Sequence, residues 1–244
     1  FLRAPETYNN QPVEMISTPS SHVFLAGDDV YKLKRARKLP FLDYSTLSLR
    51  HDLSMREVEL NRRTAPDMYL GVLPITRRDG ALHIGGDGDI VDWVVHMRRF
   101  AAHDQADHAA ASGRFTLTHA RELADILLDF HRSIPPCASK GGAVDVKRSI
   151  SNVRAAFDMA NDVDFKHQAQ TIADNLLAIA DEHVAFIDQR QRGGFVRRCH
   201  GDMHLANIVL LNGHPVPFDA IEFSDDIACV DVLHDLAFPI MDLV

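Results

Sequence analysis

The sequence contains few cysteines, and they are widely spaced. Among its 244 residues there are three, Cys137, Cys199 and Cys229, and no two of them stand in a C-x-x-C arrangement. An odd and dispersed set of cysteines argues against a disulfide framework and against a cysteine-ligated zinc site. We therefore expect a protein of a reducing compartment, the cytoplasm.

The sequence also lacks an excess of basic residues and any long apolar run. It carries 26 Lys and Arg against 34 Asp and Glu, which gives a formal net charge of −8 at pH 7. Nonspecific binding to nucleic acid or to an anionic membrane requires the opposite sign of charge. No stretch approaches the roughly 18 consecutive apolar residues of a membrane-spanning helix. We expect neither nucleic acid nor membrane as a partner.

With 46% hydrophobic and 25% charged residues, the composition is that of an ordinary folded protein. From Val13 to about Trp93, short apolar runs alternate with turn residues. This pattern predicts a mainly antiparallel sheet with one inserted helix, from about Leu47 to Arg63. Beyond about Phe100 the apolar period becomes 3.6 residues, which predicts helices.

Two apolar stripes carry the helical period, and we expect both to face the core. They are Leu123, Ile126, Leu127 and Phe130, and then Ile172, Leu176 and Ile179. The sequence thus predicts an α+β chain with two lobes, an N-terminal one over residues 1–96 and a mainly helical one over residues 97–244. A cleft is expected at their junction. Because the chain lacks an initiator Met and stops inside an apolar pattern, we expect a longer protein with a truncated second lobe.

Turn residues add three local predictions. Gly27-Asp28-Asp29 lies between two strand-like runs and predicts a hairpin. The cluster Gly85-Gly86-Asp87-Gly88 resembles a phosphate-binding loop, but no helix follows it, so we interpret it as another hairpin turn. Pro74 interrupts the run Val72–Ile75 and predicts an edge strand at best.

The densest polar cluster in the sequence is His200-Gly201-Asp202-Met203-His204-Leu205-Ala206-Asn207. An Asp followed five positions later by an Asn is the spacing of a kinase catalytic loop. There the Asp accepts the proton of the attacking hydroxyl, and the Asn binds a metal ion. Asp219 follows a short apolar run and offers a second oxygen ligand. Two such ligands suit Mg²⁺, whose other positions are filled by water and phosphate oxygens.

Phosphoryl transfer also needs a cation at the nucleotide phosphates. Lys32 lies in a strand-like run and shares one face with Val30, which is placed to cover a nucleotide base. Glu57 on the predicted helix is a candidate partner that would hold the Lys32 side chain. Lys34 and Glu59 are alternatives that spacing alone leaves open.

With these motifs the sequence resembles the aminoglycoside phosphotransferase-like branch of the protein-kinase-like fold. The resemblance rests on His200 to Asn207, on Asp219 and on Asp231-x-x-x-Asp235-Leu236-Ala237, and it extends from about Val13 to Leu243. More specifically, the chain resembles a bacterial subgroup that often carries a C-terminal P-loop ATPase domain. The motif G-x-x-x-x-G-K-[ST] does not occur in this sequence, so such a domain would lie outside it.

The resemblance implies a two-lobed fold that uses ATP and Mg²⁺, with GTP as the alternative nucleotide. It makes Asp202 the catalytic base, Asn207 and Asp219 the Mg²⁺ ligands, and Lys32 the phosphate-binding lysine with Glu57 as its partner. Asp235 would anchor the catalytic loop, and His96 and Met97 would belong to a hinge at the adenine edge. In place of a glycine-rich loop stands Ser17-Thr18-Pro19-Ser20-Ser21, which makes Ser20 and Ser21 candidates for phosphate contact.

Three hypotheses for function follow. The first is an ATP- and Mg²⁺-dependent phosphotransferase acting on a hydroxyl of a small-molecule acceptor. Neither Phe-Gly nor an A-P-E signature follows Asp219, which favours such an acceptor over a protein. The second, suggested by the missing glycine-rich loop, is a noncatalytic nucleotide-sensing module that regulates a fused ATPase domain. The third is a metal-dependent hydrolase with His200, Asp202 and His204 as ligands. Glu222, Asp225 and Asp226 either bind a cationic substrate or form a solvated acidic loop, and the loop is the interpretation that we favour.

Overall fold

The computed structural model describes residues 1–158 and 162–244 and has an α+β architecture. Strands dominate its first third and helices most of the remainder, as the sequence predicts. The strands are β1 (Val13–Ser17), β2 (Ser21–Ala26), β3 (Asp29–Lys34), β4 (Lys38–Leu39), β5 (Leu42–Asp43), β6 (Tyr69–Arg78), β7 (Ala81–Ile84), β8 (Asp89–Arg98), β9 (Val196–Arg198), β10 (Ile208–Leu211), β11 (His214–Pro217) and β12 (Cys229–Asp231). The helices are α1 (Leu47–Asn61), α2 (Ala106–Ala111), α3 (Leu117–Ser133), α4 (Ala143–Phe157), α5 (Val163–Glu182), α6 (Val184–Arg192), α7 (Asp225–Ala228) and α8 (Val232–Leu243).

The described chain forms two compact units, each assembled from separate stretches of sequence. The first comprises Phe1–Phe130, Asp202–Ser224 and Leu236–Val244, and the second comprises His131–Gly201 and Asp225–Asp235. The lobes predicted over residues 1–96 and 97–244 are a different division of the chain, and they stay a prediction.

A six-stranded antiparallel sheet forms the body of the first unit, in the order β1-β2-β3-β8-β6-β7. β2 and β3 form the predicted hairpin, in which Ala26 pairs with Asp29 across a two-residue turn. Gly27 in this turn has φ of +59°, a conformation that glycine adopts without steric cost. β3 lies inside the sheet, so Lys32 is paired on both sides, with Val23 and with Val95.

Two local predictions in this sheet are wrong. β6, which contains Pro74, is an interior strand between β8 and β7. The proline is tolerated because β7 pairs with β6 only from Ile75 onward, while Gly85 donates its N–H to the Pro74 carbonyl. An N–H at residue 74 would point to the same side as this carbonyl, just beyond the end of β7. The turn over residues 85–88 is likewise no hairpin, since β7 and β8 are separated by β6.

The sheet has two covered faces, and alternate residues of each strand face opposite sides. One face packs Phe24, Ile75 and Val94 together with Leu2 and Tyr8. The other face belongs to a buried apolar cluster that also includes a residue of α1 and one of β10. Its buried members are Val30, Val58, Ala65, Met68, Tyr69, Val95, Met97 and Val209.

Helix α1 starts where the sequence predicts and has an unusual buried face. Thr46 caps its N-terminus by accepting a hydrogen bond from the Leu49 N–H at 3.2 Å. Polar residues spaced three or four apart make up most of the buried face, namely Arg50, Ser54, Glu57 and Asn61, with Val58 among them. Arg50, Glu57 and Asn61 find partners in the interior, as buried polar groups need, whereas the buried Ser54 Oγ has no hydrogen-bond partner among the described atoms.

Three of the four residues of the first predicted helical stripe are confirmed as core. Leu123, Leu127 and Phe130 of α3 are buried, whereas Ile126 is only partly buried. Leu123 and Leu127 pack in the first unit against Met203, Leu205 and other apolar residues around Ile208. Met203 and Leu205 of this cluster belong to the segment that carries the polar motif of residues 202–207.

The second predicted stripe is not core. Ile172, Leu176 and Ile179 of α5 are 59%, 45% and 53% exposed. The buried residues of α5 are instead the alanines Ala169, Ala173 and Ala180. α4 and α5 contact each other within the second unit, and small side chains let two helices approach closely. The helical period is therefore right, but the stripe chosen for the core is not the one that packs.

Within the residues that the structure describes, no helix is both long enough and apolar enough to cross a lipid bilayer.

We predict that two leucine truncations will differ sharply in cost. Leu127→Ala should lower the free energy of unfolding by about 2–5 kcal/mol, because it opens a cavity in a close-packed cluster. Leu176→Ala removes the same atoms from an exposed position and should cost within about 0.5 kcal/mol. Urea denaturation of both variants measures the two values. Equal losses would contradict the exposed position of Leu176.

Candidate functional site

The polar motif begins at a segment held by a buried carboxylate. Asp235 is fully buried at the start of α8 and accepts hydrogen bonds from the main-chain N–H groups of His200, at 2.8 Å, and Gly201, at 2.9 Å. His131 Nε2 lies 3.0 Å from the same carboxylate. Burial raises the pKa of Asp235, but these hydrogen bonds outweigh it and hold the pKa below its usual value. Asp235 thus fixes the backbone that leads directly into Asp202.

Asp202 and Asn207 are joined by the Asn207 amide. Its Nδ2 donates to the Asp202 main-chain oxygen at 2.9 Å and to Asp202 Oδ2 at 3.2 Å. His204 Nε2 lies 3.4 Å from the same Oδ2. With the amide nitrogen committed to Asp202, the Asn207 Oδ1 is the atom that remains available to bind a cation.

A tight hairpin brings Asn207 close to the residues before Asp219. β10 and β11 pair from Ile208 opposite Pro217 to Leu211 opposite His214. The main-chain N–H of Phe218 then donates to the Asn207 carbonyl at 2.9 Å. The turn is Asn212-Gly213, both with positive φ, which is the preferred pair for a two-residue hairpin. This dipeptide is the signal by which the juxtaposition was predictable from sequence.

Lys32 joins two predicted site residues. Its Nζ lies 2.9 Å from Glu57 Oε1 and 2.6 Å from Asp219 Oδ1. Burial lowers the pKa of Lys32, but the carboxylates of Asp219 and Glu57 outweigh burial and hold this pKa well above its usual value. Lys32 is therefore a permanent cation between a buried carboxylate and a partly exposed one.

Lys34 and Glu57 form the other half of this charge cluster. Lys34 Nζ lies 2.5 Å from Glu57 Oε2 and 2.5 Å from Glu222 Oε1, and both carboxylates are buried. The Tyr44 hydroxyl also donates to Glu222 Oε1. The sequence spacing left open which of the two lysines pairs with the helix, and both bind Glu57. The alternative partner, Glu59, is exposed. Burial raises the pKa of Glu57, yet the two ammonium groups lower it to about 2.

Of the acidic residues interpreted as solvated, Glu222 contradicts that view most clearly. It is 4% exposed. Asp225 pairs with Arg198 at 2.8 Å, and exposed Asp226 pairs with Lys140. Sequence spacing did not reveal Tyr44 or Lys34 as partners of Glu222, because the three lie far apart in the chain.

The backbone around Asp219 is held by two side chains that sequence reasoning missed. The Asp219 N–H donates to Tyr69 Oη at 3.1 Å, and the Ala220 N–H donates to Asn61 Oδ1 at 2.8 Å. Asn61 lies one helical turn after Glu57 on α1, and its Nδ2 donates to the Glu57 carbonyl at 2.9 Å. The i, i+4 spacing of Glu57 and Asn61 on the predicted helix is the sequence feature that could have identified Asn61.

A cavity of about 460 Å³ in the first unit collects most of the predicted residues. Its polar end carries Lys32, Asn207 and Asp219, and Ser20 lies on its wall. Its apolar lining consists mainly of Ile16, Val23, Leu25, Val30, Met68, Met97, Phe100 and Phe218. Val30 and Lys32 lie on one strand face, as predicted.

Four of the predicted site residues do not line this cavity, namely Asp202, Glu57, Ser21 and His96. Ser21 is buried on β2, opposite Lys34, and its Oγ has no hydrogen-bond partner among the described atoms. His96 belongs to β8, where its ring stacks on Tyr31 at 4.8 Å and its Nε2 lies 2.8 Å from Asp29 Oδ1. Arg98, Arg99 and Phe100, which follow Met97, line the cavity instead.

The donor set fits a hard cation beside an anionic ligand. Asn207 and Asp219 present amide and carboxylate oxygens to one cavity, and Mg²⁺ prefers such ligands. Lys32 supplies a positive charge at the same end, while the apolar lining suits a flat, weakly polar group. Charge and shape are therefore compatible with Mg²⁺ and a nucleoside triphosphate.

In the second unit, three possible metal ligands other than the predicted set lie close together. Across residues 1–158 and 162–244, the trio of possible ligand atoms within 4.8 Å of one another is His131, Cys199 and Asp235. The Asp235 oxygens in this trio already accept the hydrogen bonds that hold the motif, and burial raises the pKa of the Cys199 thiol. We therefore interpret this trio as residues that pack the interior and anchor the polar motif.

Comparison with known proteins finds distant relatives of the whole chain. No protein-family model matches the sequence. Over 240 residues, 95% of the chain, it is 26% identical to the uncharacterized proteins Mb2027c of Mycobacterium bovis and Rv2004c of Mycobacterium tuberculosis. The match covers 46% of each relative, so the chain spans about half the length of these curated proteins.

We predict that Glu57 makes stability depend on acidic pH. Its folded pKa of about 2 lies below the value of about 4.3 for an unfolded glutamate. As pH falls, the unfolded chain therefore binds the proton first, and the stabilisation present above about pH 5 is lost progressively toward about pH 2. Urea denaturation between pH 7 and pH 3 should give a steeper loss for the parent than for Glu57→Gln. The variant should be less stable by about 3–5 kcal/mol at pH 7, because its lysines lose their shared anion. Parallel pH profiles would contradict the prediction.

Proposed function

We propose that this chain is an ATP- and Mg²⁺-dependent phosphotransferase that acts on a hydroxyl of a small-molecule acceptor. The observation that carries the proposal is the cavity at whose polar end Lys32, Asn207 and Asp219 lie together, with Asn207 bonded to Asp202. These residue types, in this chain order, are the parts that phosphoryl transfer requires.

In this function Asp202 orients the acceptor hydroxyl and takes its proton as the oxygen attacks the terminal phosphorus. Asn207 holds the Asp202 carboxylate through its amide nitrogen. Lys32 contributes a fixed positive charge to the phosphate oxygens, and Glu57 keeps its long side chain extended into the cavity. Pre-positioned charge of this kind stabilises a transition state without reorganisation of the site.

Asn207 and Asp219 are the residues that would hold Mg²⁺. When bound, the ion neutralises charge on the phosphate oxygens. The apolar walls from Val23, Val30 and Met97 bind the nucleotide base and exclude water from one side of the phosphates.

A small acceptor is proposed because Asp219 is followed by Ala220-Ile221-Glu222, with no segment of the type that docks protein substrates. We extend the proposal to a kinase-like two-lobed fold and to the cytoplasm. A fused P-loop ATPase domain stays part of the proposal for the whole protein.

The loop over residues 17–21 favours a second candidate, a noncatalytic nucleotide-sensing module. Thr18 Oγ1 accepts the Ser21 N–H at 2.9 Å and lies 3.4 Å from Ser20 Oγ, so the hydroxyls of Thr18 and Ser20 bind within the loop itself. A sensor binds nucleotide and forms no phosphorylated product with any acceptor. One identified product removes this candidate.

We predict Mg²⁺-dependent stabilisation by nucleotide. ATP or GTP at 100 times its dissociation constant should add about 2.7 kcal/mol to the stability of the parent, which is visible as a shift of the unfolding midpoint. Asp219→Asn should lose the part of the shift that requires Mg²⁺. Asp181→Asn, which changes an exposed carboxylate paired with Lys147, is the matched control and should respond like the parent. No shift with either nucleotide would contradict the proposal.

We predict that Asp202→Asn separates chemistry from binding. The amide cannot accept the acceptor proton, so transfer should fall by at least about 100-fold. The nucleotide-induced shift of the unfolding midpoint should stay near that of the parent. An acceptor screen by mass spectrometry supplies the product to be quantified. Undiminished turnover in this variant would rule out Asp202 as the base.

A further inference from the structure

The proposed chemistry uses Lys32 and leaves a second buried lysine without a role. The Lys34 side chain is fully buried, and its Nζ lies 2.5 Å from each of two carboxylates, those of Glu57 and Glu222. A buried ammonium is tolerated only when such partners compensate for the lost water. The pair Lys32 and Lys34 stands on one face of β3, so Lys34 lies next to the lysine of the cavity.

Glu222 connects Lys34 to the loop that carries Asp219. It lies three residues after Asp219, and its carboxylate also accepts a hydrogen bond from the Tyr44 hydroxyl. Lys34 itself donates to the same hydroxyl at 3.3 Å. Lys34, Tyr44 and Glu222 thus form a closed triangle of polar contacts. We refer to these three residues as the Lys34 triangle.

The segment 219–222 is therefore fixed at both ends. At its start the Asp219 N–H binds Tyr69 Oη and the Ala220 N–H binds Asn61 Oδ1. At its end the Glu222 side chain is held by the triangle. Asp219 has φ of +62°, a left-handed conformation that is uncommon outside glycine and that Asp and Asn adopt more readily than other residues. The contacts at both ends of the segment hold this backbone in place.

We propose that the Lys34 triangle is a positioning device that holds Asp219 toward the cavity and so sets the affinity of the site for a divalent cation. This inference rests on the proposed function, in which Asp219 is a metal ligand. Lys34, Tyr44 and Glu222 are positioning residues, because they act through the loop and do not line the cavity.

Glu57 gives the device a further consequence. One oxygen of Glu57 binds Lys32 and the other binds Lys34. The carboxylate that holds the phosphate-binding lysine therefore also holds the lysine behind the metal-binding loop. The two halves of the site share one anchor on α1.

The test is the binding of Mn²⁺ alone, measured by electron paramagnetic resonance on the whole chain. Mn²⁺ accepts the same oxygen ligands as Mg²⁺. The parent is compared with Glu222→Gln, which removes the negative charge of the triangle, and with Tyr44→Phe, which removes both hydrogen bonds of the hydroxyl and keeps both charges. Asp219→Asn is the reference for loss of the site. Asp92→Asn is the matched control, because it neutralises a carboxylate that pairs with Arg50 of the same helix α1 at 2.7 Å.

Glu222→Gln should weaken Mn²⁺ binding about 10–100-fold, the range typical of residues that orient a metal ligand. Tyr44→Phe should weaken it in the same direction by a smaller factor, and Asp92→Asn should leave it unchanged. Circular dichroism verifies that each variant is folded at the temperature of measurement. Should Glu222→Gln not fold, Tyr44→Phe decides the matter.

A purely structural triangle predicts a different result, in which the folded variants bind Mn²⁺ as tightly as the parent and only their unfolding midpoints fall. That outcome overturns the positioning role and leaves the proposed function standing. If Asp219→Asn binds Mn²⁺ as the parent does, or the parent binds none, Asp219 is not a metal ligand and both proposals fall together.

Discussion

The carboxylate of Glu57 is the interaction on which the site depends. It is fully buried, and each of its oxygens contacts a different lysine of β3. A carboxylate loses its hydration in such a place and is stable there only as a paired anion. The pairing therefore sets the position of α1 against the sheet, because a shift of the helix would leave a buried anion without partners and would take from each lysine one of its two carboxylates.

The other polar residues of α1 follow from the same constraint. Arg50 binds Asp92 of the sheet at 2.7 Å, and Asn61 binds the backbone after Asp219 at 2.8 Å. Where an ordinary amphipathic helix buries a wide apolar stripe, α1 buries donors and acceptors. Polar contacts are directional, so this helix is bound to its register in a way that apolar packing alone would not require.

The candidate metal-binding end of the cavity depends on a second, local constraint. The Asn212-Gly213 turn closes β10 and β11 in a fixed register, and this register brings Asn207 to the main chain of Phe218. A two-residue turn thus determines which polar residues meet. In the second unit, Asp235 binds the main chain of His200 and Gly201, the two residues that precede Asp202 in sequence.

Much of this arrangement is visible in the sequence. The hairpin at Gly27, the start of α1 at Leu47, the α+β order and the stripe of Leu123 and Leu127 all follow from short-range patterns, because turns, caps and helical periods depend on neighbours in the chain. The spacing from Asp202 to Asn207 and the strand face shared by Val30 and Lys32 are of the same kind. These features the chain determines by itself.

Other features were decided only by tertiary structure. The sequence spacing did not determine whether Lys32 or Lys34 binds Glu57, and in the structure both lysines do. Glu222 is buried because Lys34 and Tyr44, distant in sequence, meet it. Pro74 lies inside the sheet because β7 ends beside it, and α5 packs its alanines while Leu176 stays exposed. In each case the burial or pairing of a residue depends on surfaces and charges that are distant in sequence. A local sequence pattern carries no information about such contacts.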